Sequence, residues 1–95
     1  MIDLDKKYID FIKQIVLEYL TDCTIYIFGS LVKGTAKKYS DIDIALDSSC
    51  LDEKTISKIK LKFANSTLPY EVDVVDLNNI SDTFKSHIIN DLVKI

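Results

Sequence analysis

The sequence predicts an α/β or α+β domain with a small sheet covered by helices, and three observations point to it. Apolar residues recur at helical spacing in some segments and at every second position in others, and the two patterns alternate along the chain. The composition, 47% hydrophobic and 28% charged over 95 residues, is that of a compact globular protein rather than a disordered or fibrous one. Two glycines and one proline leave no linker, repeat or low-complexity stretch, so residues 1–95 read as a single domain. Helix and strand patterns then follow in the order α-β-α-β-α-β-α, which favours layers of helices on a sheet.

Leu4 to Leu20 is the first helix, with Leu4, Tyr8, Phe11, Ile12, Ile15, Val16 and Tyr19 on its apolar side. Thr21 and Asp22 end it. Thr24 to Phe28 is a β-branched and aromatic run that reads as a strand, and Gly29 and Ser30 stop it. Leu31 to Tyr39 reads as one helical turn and a lysine-bearing loop. Asp41 to Leu46 is a second strand, with Asp41, Asp43 and Ala45 on one face and Ile42, Ile44 and Leu46 on the other. Leu51 to Ala64 is a helix that turns Ile56, Ile59 and Phe63 inward, and Asn65 to Pro69 is a turn. Tyr70 to Leu77 is the third strand. Ser81 is placed to cap a last helix whose stripe is Phe84, Ile88, Leu92 and Ile95. Tyr8, Tyr19 and Tyr26 are expected in the core.

Charge narrows the function. A net charge of -3 and a pI near 5.0 argue against a dedicated nucleic-acid binder or a binder of anionic membranes. Lys33, Lys37 and Lys38 nevertheless form a local basic patch, which suits a phosphate-bearing small molecule. Cys23 and Cys50 match no zinc or Cys-x-x-Cys spacing and read as apolar fillers or free thiols. The N-terminal charges exclude a signal peptide and a transmembrane helix, making a cytoplasmic location the default.

The segment from Gly29 to Ala45 carries the chemistry. Gly29 and Ser30 lie where a strand gives way to a helical turn. Such a place holds anions through free N–H groups, with glycine allowing close approach; taken alone, it also reads as a plain turn with a serine cap. Asp41 and Asp43 alternate on an otherwise apolar strand, with Cα atoms about 7 Å apart. Two carboxylates on one face repel unless a cation lies between them, and magnesium is an oxygen-seeking cation that shares its ligands with substrate phosphates. A solvated strand face is the other reading of the same pair. An EF-hand fails because Leu46 and Ala45 stand at its glycine and ligand positions, and a P-loop fails for want of Gly-Lys-Ser/Thr.

The Gly-Ser turn, the basic loop and Asp-x-Asp on the next strand together resemble the DNA polymerase β-like nucleotidyltransferases, a fold with a small mixed sheet flanked by helices. More narrowly, the chain resembles the minimal nucleotidyltransferases that serve as antitoxins of HEPN-domain toxins. The resemblance implies a third metal-site carboxylate on a later strand, which here matches Asp73 in Tyr-Glu-Val-Asp-Val-Val-Asp-Leu. At a strand centre its charge is expensive to bury without a partner. Glu71 shares its face, whereas Asp76 reads as a cap or a solvated residue. The family often carries arginine where Lys33 stands; lysine keeps the charge but loses the bidentate fork.

The resemblance further implies that Asp41, Asp43 and Asp73 hold two Mg2+ ions and that ATP is the substrate. Gly29, Ser30 and Lys33 would contact its phosphates, and AMP would pass to a tyrosine of a cognate HEPN-type ribonuclease toxin. With no second domain to hold an acceptor, the chain is expected to rely on a partner protein. Two further readings remain open: an antitoxin that neutralises its partner by binding only, and one subunit of a small-molecule, antibiotic-type nucleotidyltransferase. His87, four residues before Asp91, reads as part of a surface helix pair.

Overall fold

The structure, a computed structural model, describes residues 4–33, 41–49 and 51–95. Helix α1, Lys6–Tyr19, starts at Asp5, whose carboxylate accepts the Lys7 N–H at 3.1 Å. Ile12, Ile15 and Val16 form its buried stripe. Strand β1 (Thr24–Phe28) is followed by the short helix α2 (Ser30–Lys33) and then by β2 (Ile42–Asp47). Helix α3, Glu53–Ala64, is capped by Asp52, which accepts the Thr55 N–H at 2.7 Å, and it buries Ile59 and Phe63 one turn apart. Strand β3 is Val72–Asp76, helix α4 is Asp82–Ile88, and β4 is Val93–Lys94. Ser81 is the α4 cap, its hydroxyl accepting the Phe84 N–H at 3.1 Å.

The sheet order is β3-β2-β1-β4. β1 pairs antiparallel with β2 and β4, and β2 pairs parallel with β3, so the sheet is mixed as expected. The parallel pair needs a crossover, and α3 supplies it.

Alternation gives the sheet two different faces. Ile25 and Ile27 of β1, Ile42, Ile44 and Leu46 of β2, and Val74 of β3 join α1 and α3 residues in the main core. Phe28, Ala45, Leu77 and Ile88 form a second, smaller core on the opposite face, with Tyr26, Val75 and Leu92 packed against it. β1 and β2 each place buried side chains in both cores, and Ile42, Ile44, Ala45 and Leu46 of β2 are each fully buried.

Three expectations need correction. The last helix stops at Ile88, and Leu92 does not continue its stripe. A turn and β4 follow, because residues 93–94 find backbone partners on β1: Val93 sits opposite Ile27 and Lys94 opposite Tyr26. Tyr19 is not a core residue; it is 39% exposed at the last position of α1, where the buried stripe has rotated away. Strand β2 begins at Ile42 rather than Asp41. Cys23 is a free, half-buried thiol beside the main core, with its pKa pushed up by burial, in keeping with a filler role; Cys50 lies outside the described residues. No helix among the described residues is long and apolar enough to cross a membrane.

Four fully buried residues in a row of five make β2 a sensitive strand. Ile44→Ala should lower unfolding free energy by about 2–5 kcal/mol, the range for deleting a buried branched side chain. Leu61→Ala, at a position that is 62% exposed, should stay within about 0.5 kcal/mol. Urea denaturation of both variants checks the contrast.

Candidate active site

The second sheet face is apolar toward one end and acidic toward the other. In the pairing register Asp43 stands opposite Phe28 of β1 and opposite Asp73 of β3. Residues opposite one another share a face, so Asp43 and Asp73 are side by side on the face that carries Phe28 and Ala45. Asp41 lies just before β2 and is exposed.

The turn after β1 is fitted to Asp43. Gly29 has φ +83°, a conformation that residues with a Cβ rarely adopt. A Cβ placed there would also run into the Asp43 carboxylate. The glycine therefore serves two purposes, turning the chain into α2 and leaving room for a carboxyl group. Its carbonyl accepts the Val32 N–H at 3.1 Å, closing the first turn of α2. Ser30 and Lys33 bound α2, but their side chains lie outside the described residues, as do Lys37, Lys38 and Tyr39 altogether.

Electrostatics single out Asp43. Its pKa is raised, first by burial and then by the negative charges of Asp73 and Asp41. Both of these carboxylates carry charge of its own sign. Among the described residues, no three His, Cys, Asp or Glu side chains close into a ready-made metal cage. The donor set is nonetheless all carboxylate oxygen, the set that suits a hard divalent cation. A cation among these groups would offset the repulsion felt by Asp43.

Asp73 differs from its expected environment. β3 is the edge of the sheet and Asp73 is exposed, so its charge carries little burial penalty. Position in the register, not desolvation, is what ties it to Asp43. Glu71 is exposed just before β3, and its carbonyl accepts the Ile42 N–H at 2.8 Å. Asp76 caps a turn, accepting the Asn78 N–H at 3.0 Å. His87 is exposed on α4. Nothing in the sequence pattern places Phe28 or Phe84 at the site. Their rings meet edge to face at 6.3 Å between centroids and wall the sheet face beside Asp43. The available signal was Phe28's place immediately before Gly29.

Comparison with known proteins shows the family. The family model for polymerase beta nucleotidyltransferases matches residues 11–95. A Haemophilus influenzae protein named as a probable protein adenylyltransferase, MntA, is 38% identical over 85 residues, covering 88% of this chain and 75% of its own length. A crystal structure of a toxin-antitoxin with AMP-PNP superposes with a TM-score of 0.77 at 30% identity, over 90% of this chain and 69% of that one. A complex of tri-AMPylated Shewanella oneidensis HEPN toxin with MNT antitoxin gives a TM-score of 0.69 at 29% identity, over 90% of this chain and 66% of that one. The chain thus spans about two thirds of the length of these solved relatives.

Because the folded state raises the Asp43 pKa, it binds the proton more tightly than the unfolded chain does. Stability then falls as pH rises above the ordinary carboxylate value of 3.8 and levels off once pH passes the folded value. Asp43→Asn removes this loss. The variant should melt higher than wild type at neutral pH, and the gap should close as the solution is acidified below 3.8; thermal melts across pH check it. Gly29→Ala should destabilise by at least about 1–2 kcal/mol from the left-handed backbone alone, with the displaced Asp43 carboxylate adding to it, as urea denaturation would read.

Proposed function

The chain belongs to the polymerase β nucleotidyltransferase family, and on that premise we propose that it transfers AMP from ATP to a tyrosine hydroxyl of a HEPN-type toxin, acting as that toxin's antitoxin. The observation that carries the reading is the parallel register that sets Asp43 beside Asp73, next to a glycine turn with no room for a side chain. The relatives named as a protein adenylyltransferase and the complex with an AMPylated toxin supply the acceptor class.

Asp41, Asp43 and Asp73 are the residues that would hold magnesium. What magnesium supplies when bound is neutralisation of triphosphate charge and a lowered pKa for the attacking hydroxyl. The remaining work falls to the chain. The Gly29 turn brings backbone N–H groups at the start of α2 toward the β- and γ-phosphates, and Ser30 and Lys33 add a hydroxyl and a positive charge there. Asp73, exposed at the sheet edge, is open to the acceptor and takes its proton. The acceptor oxygen forms a bond to the α-phosphorus as the bond to the bridging oxygen breaks, and pyrophosphate leaves. Positioning and charge placement, rather than covalent chemistry, account for the acceleration.

The test is to incubate the protein with ATP labelled at the α-phosphate, magnesium and a HEPN-type toxin from the same genome. The toxin should gain the mass of AMP. Asp41→Asn combined with Asp43→Asn should cut the transfer at least about a hundredfold, the scale for losing preorganised electrostatic groups, while leaving a cooperative unfolding transition. Undiminished labelling by the double variant would sink the assignment. Toxin that is silenced without gaining mass would point to neutralisation by binding alone. Magnesium should raise the melting temperature of the wild type and leave Asp43→Asn unmoved, since a ligand stabilises only the state that binds it.

A further inference from the structure

The edge of the sheet beside Asp73 is not blank. A groove of about 460 Å³ opens between the C-terminal half of α3 and the start of β3, and Asp73 is part of its wall. Its apolar lining comes from Phe63, Ala64, Leu68, Tyr70 and Val72, with Lys60 on one side and Glu71 beside Asp73 on the other. The Tyr70 ring is held by an edge-to-face contact with Tyr8, 5.3 Å between centroids. The volume is within the range of ligand pockets, about 300–1,000 Å³.

The backbone of β3 adds a second feature. Among the described residues its one sheet neighbour is β2. In a parallel pair alternate residues bond toward the partner. Ile42 donates to the Glu71 carbonyl and Leu77 donates to the Leu46 carbonyl, so residues 71, 73, 75 and 77 are those that bond inward. The N–H and C=O groups of Val72, which lines the groove, therefore face away from β2. Such groups are what an extended main chain satisfies when it adds to a sheet edge.

We propose that the acceptor is an extended polypeptide segment that pairs with the outer edge of β3 at Val72, unpaired among the described residues, sets one apolar side chain into this groove and thereby presents the hydroxyl of an adjacent residue to Asp73. This rests on the nucleotidyltransferase reading above and names how the site takes its substrate. The period of two supplies the logic. On an added strand, the side chain beside Val72 falls on the α3 face, where the groove lies. The side chains immediately before and after it fall on the opposite face, beside Asp73 and Asp43. A residue two positions from the hydroxyl would miss the groove. The transfer is balanced as before: the hydroxyl oxygen bonds to the α-phosphorus, pyrophosphate leaves, and the proton passes to Asp73.

The test uses fluorescein-labelled decapeptides, each with one central tyrosine, that differ in where a single leucine or phenylalanine stands. Binding is read by anisotropy and transfer by label from ATP. Peptides with the apolar residue directly adjacent to tyrosine should bind and be labelled at least about tenfold better than those with it two positions away, the scale of burying one apolar side chain. Ala64→Glu places a charge in the groove from an exposed helix position. Val72→Pro removes an outward N–H that the sheet does not use, a place where an edge strand tolerates proline. Each should erase that preference and weaken binding at least about tenfold, while ATP still raises the melting temperature as in wild type. Transfer by the wild type that is undiminished in both variants overturns the groove assignment and leaves the nucleotidyltransferase reading standing. Failure of the wild type to label any peptide or any toxin overturns both.

Discussion

The parallel pairing of β2 with β3 is the constraint from which the rest of the molecule follows. It places two aspartates at the same level on neighbouring strands, which lie about 4.8 Å apart. Like charges so placed disfavour the folded state, and the Asp43 pKa is raised first by burial and then by this repulsion. The strand tolerates this because its other face is strongly stabilising. Ile42, Ile44 and Leu46 are fully buried, each contributing about 1.5–3 kcal/mol relative to exposure. One six-residue strand therefore anchors the core with one set of side chains and carries Asp43 with the other.

The same alternation explains why the acidic end of the second face stays open. Ala45 and Val75 belong to the small core that α4 covers through Ile88. Asp43 and Asp73 come two residues earlier on the same strands, and no apolar side chain is needed to cover them. Phe28 marks the boundary, packing against Phe84 while standing opposite Asp43. The site thus lies where the packing of α4 gives out, at the end of the sheet where β1 turns through Gly29.

Much of this was legible in the sequence because it rests on local pattern. The period of two in Ile-Asp-Ile-Ala-Leu gave both the burial of β2 and the side on which Asp43 projects. Ser81 was recognisable as a helix cap from its place before the Phe84 and Ile88 stripe. What escaped depended on pairing between distant segments. Asp73 is flanked by valines, which suggests a buried centre, but β3 is an edge, and strand order is not encoded in any short window. Leu92 and Ile95 fit a helical stripe as well as a strand. The partner that decides between them is β1, to which Ile95 also donates through its N–H to the Ile25 carbonyl at 3.0 Å, some seventy residues back in the chain. Tyr19 satisfied the helical spacing, yet the core at this end of α1 takes Val16 and Leu20 and leaves Tyr19 39% exposed.

Gly29 shows how turn and site depend on one another. Its left-handed φ could be met by asparagine or aspartate at modest energetic cost. The Asp43 carboxylate lying where a Cβ would go makes the position far more restrictive. A conformational requirement alone would leave several residues permissible; the Asp43 carboxylate oxygen, which any Cβ would have to displace, narrows the choice further. That contact also limits where the carboxylate can go, since the turn closes off one side and Asp73 repels it from another. The Gly29 turn thus bounds the Asp43 carboxylate on one side, while the Asp73 charge acts on it from the neighbouring strand.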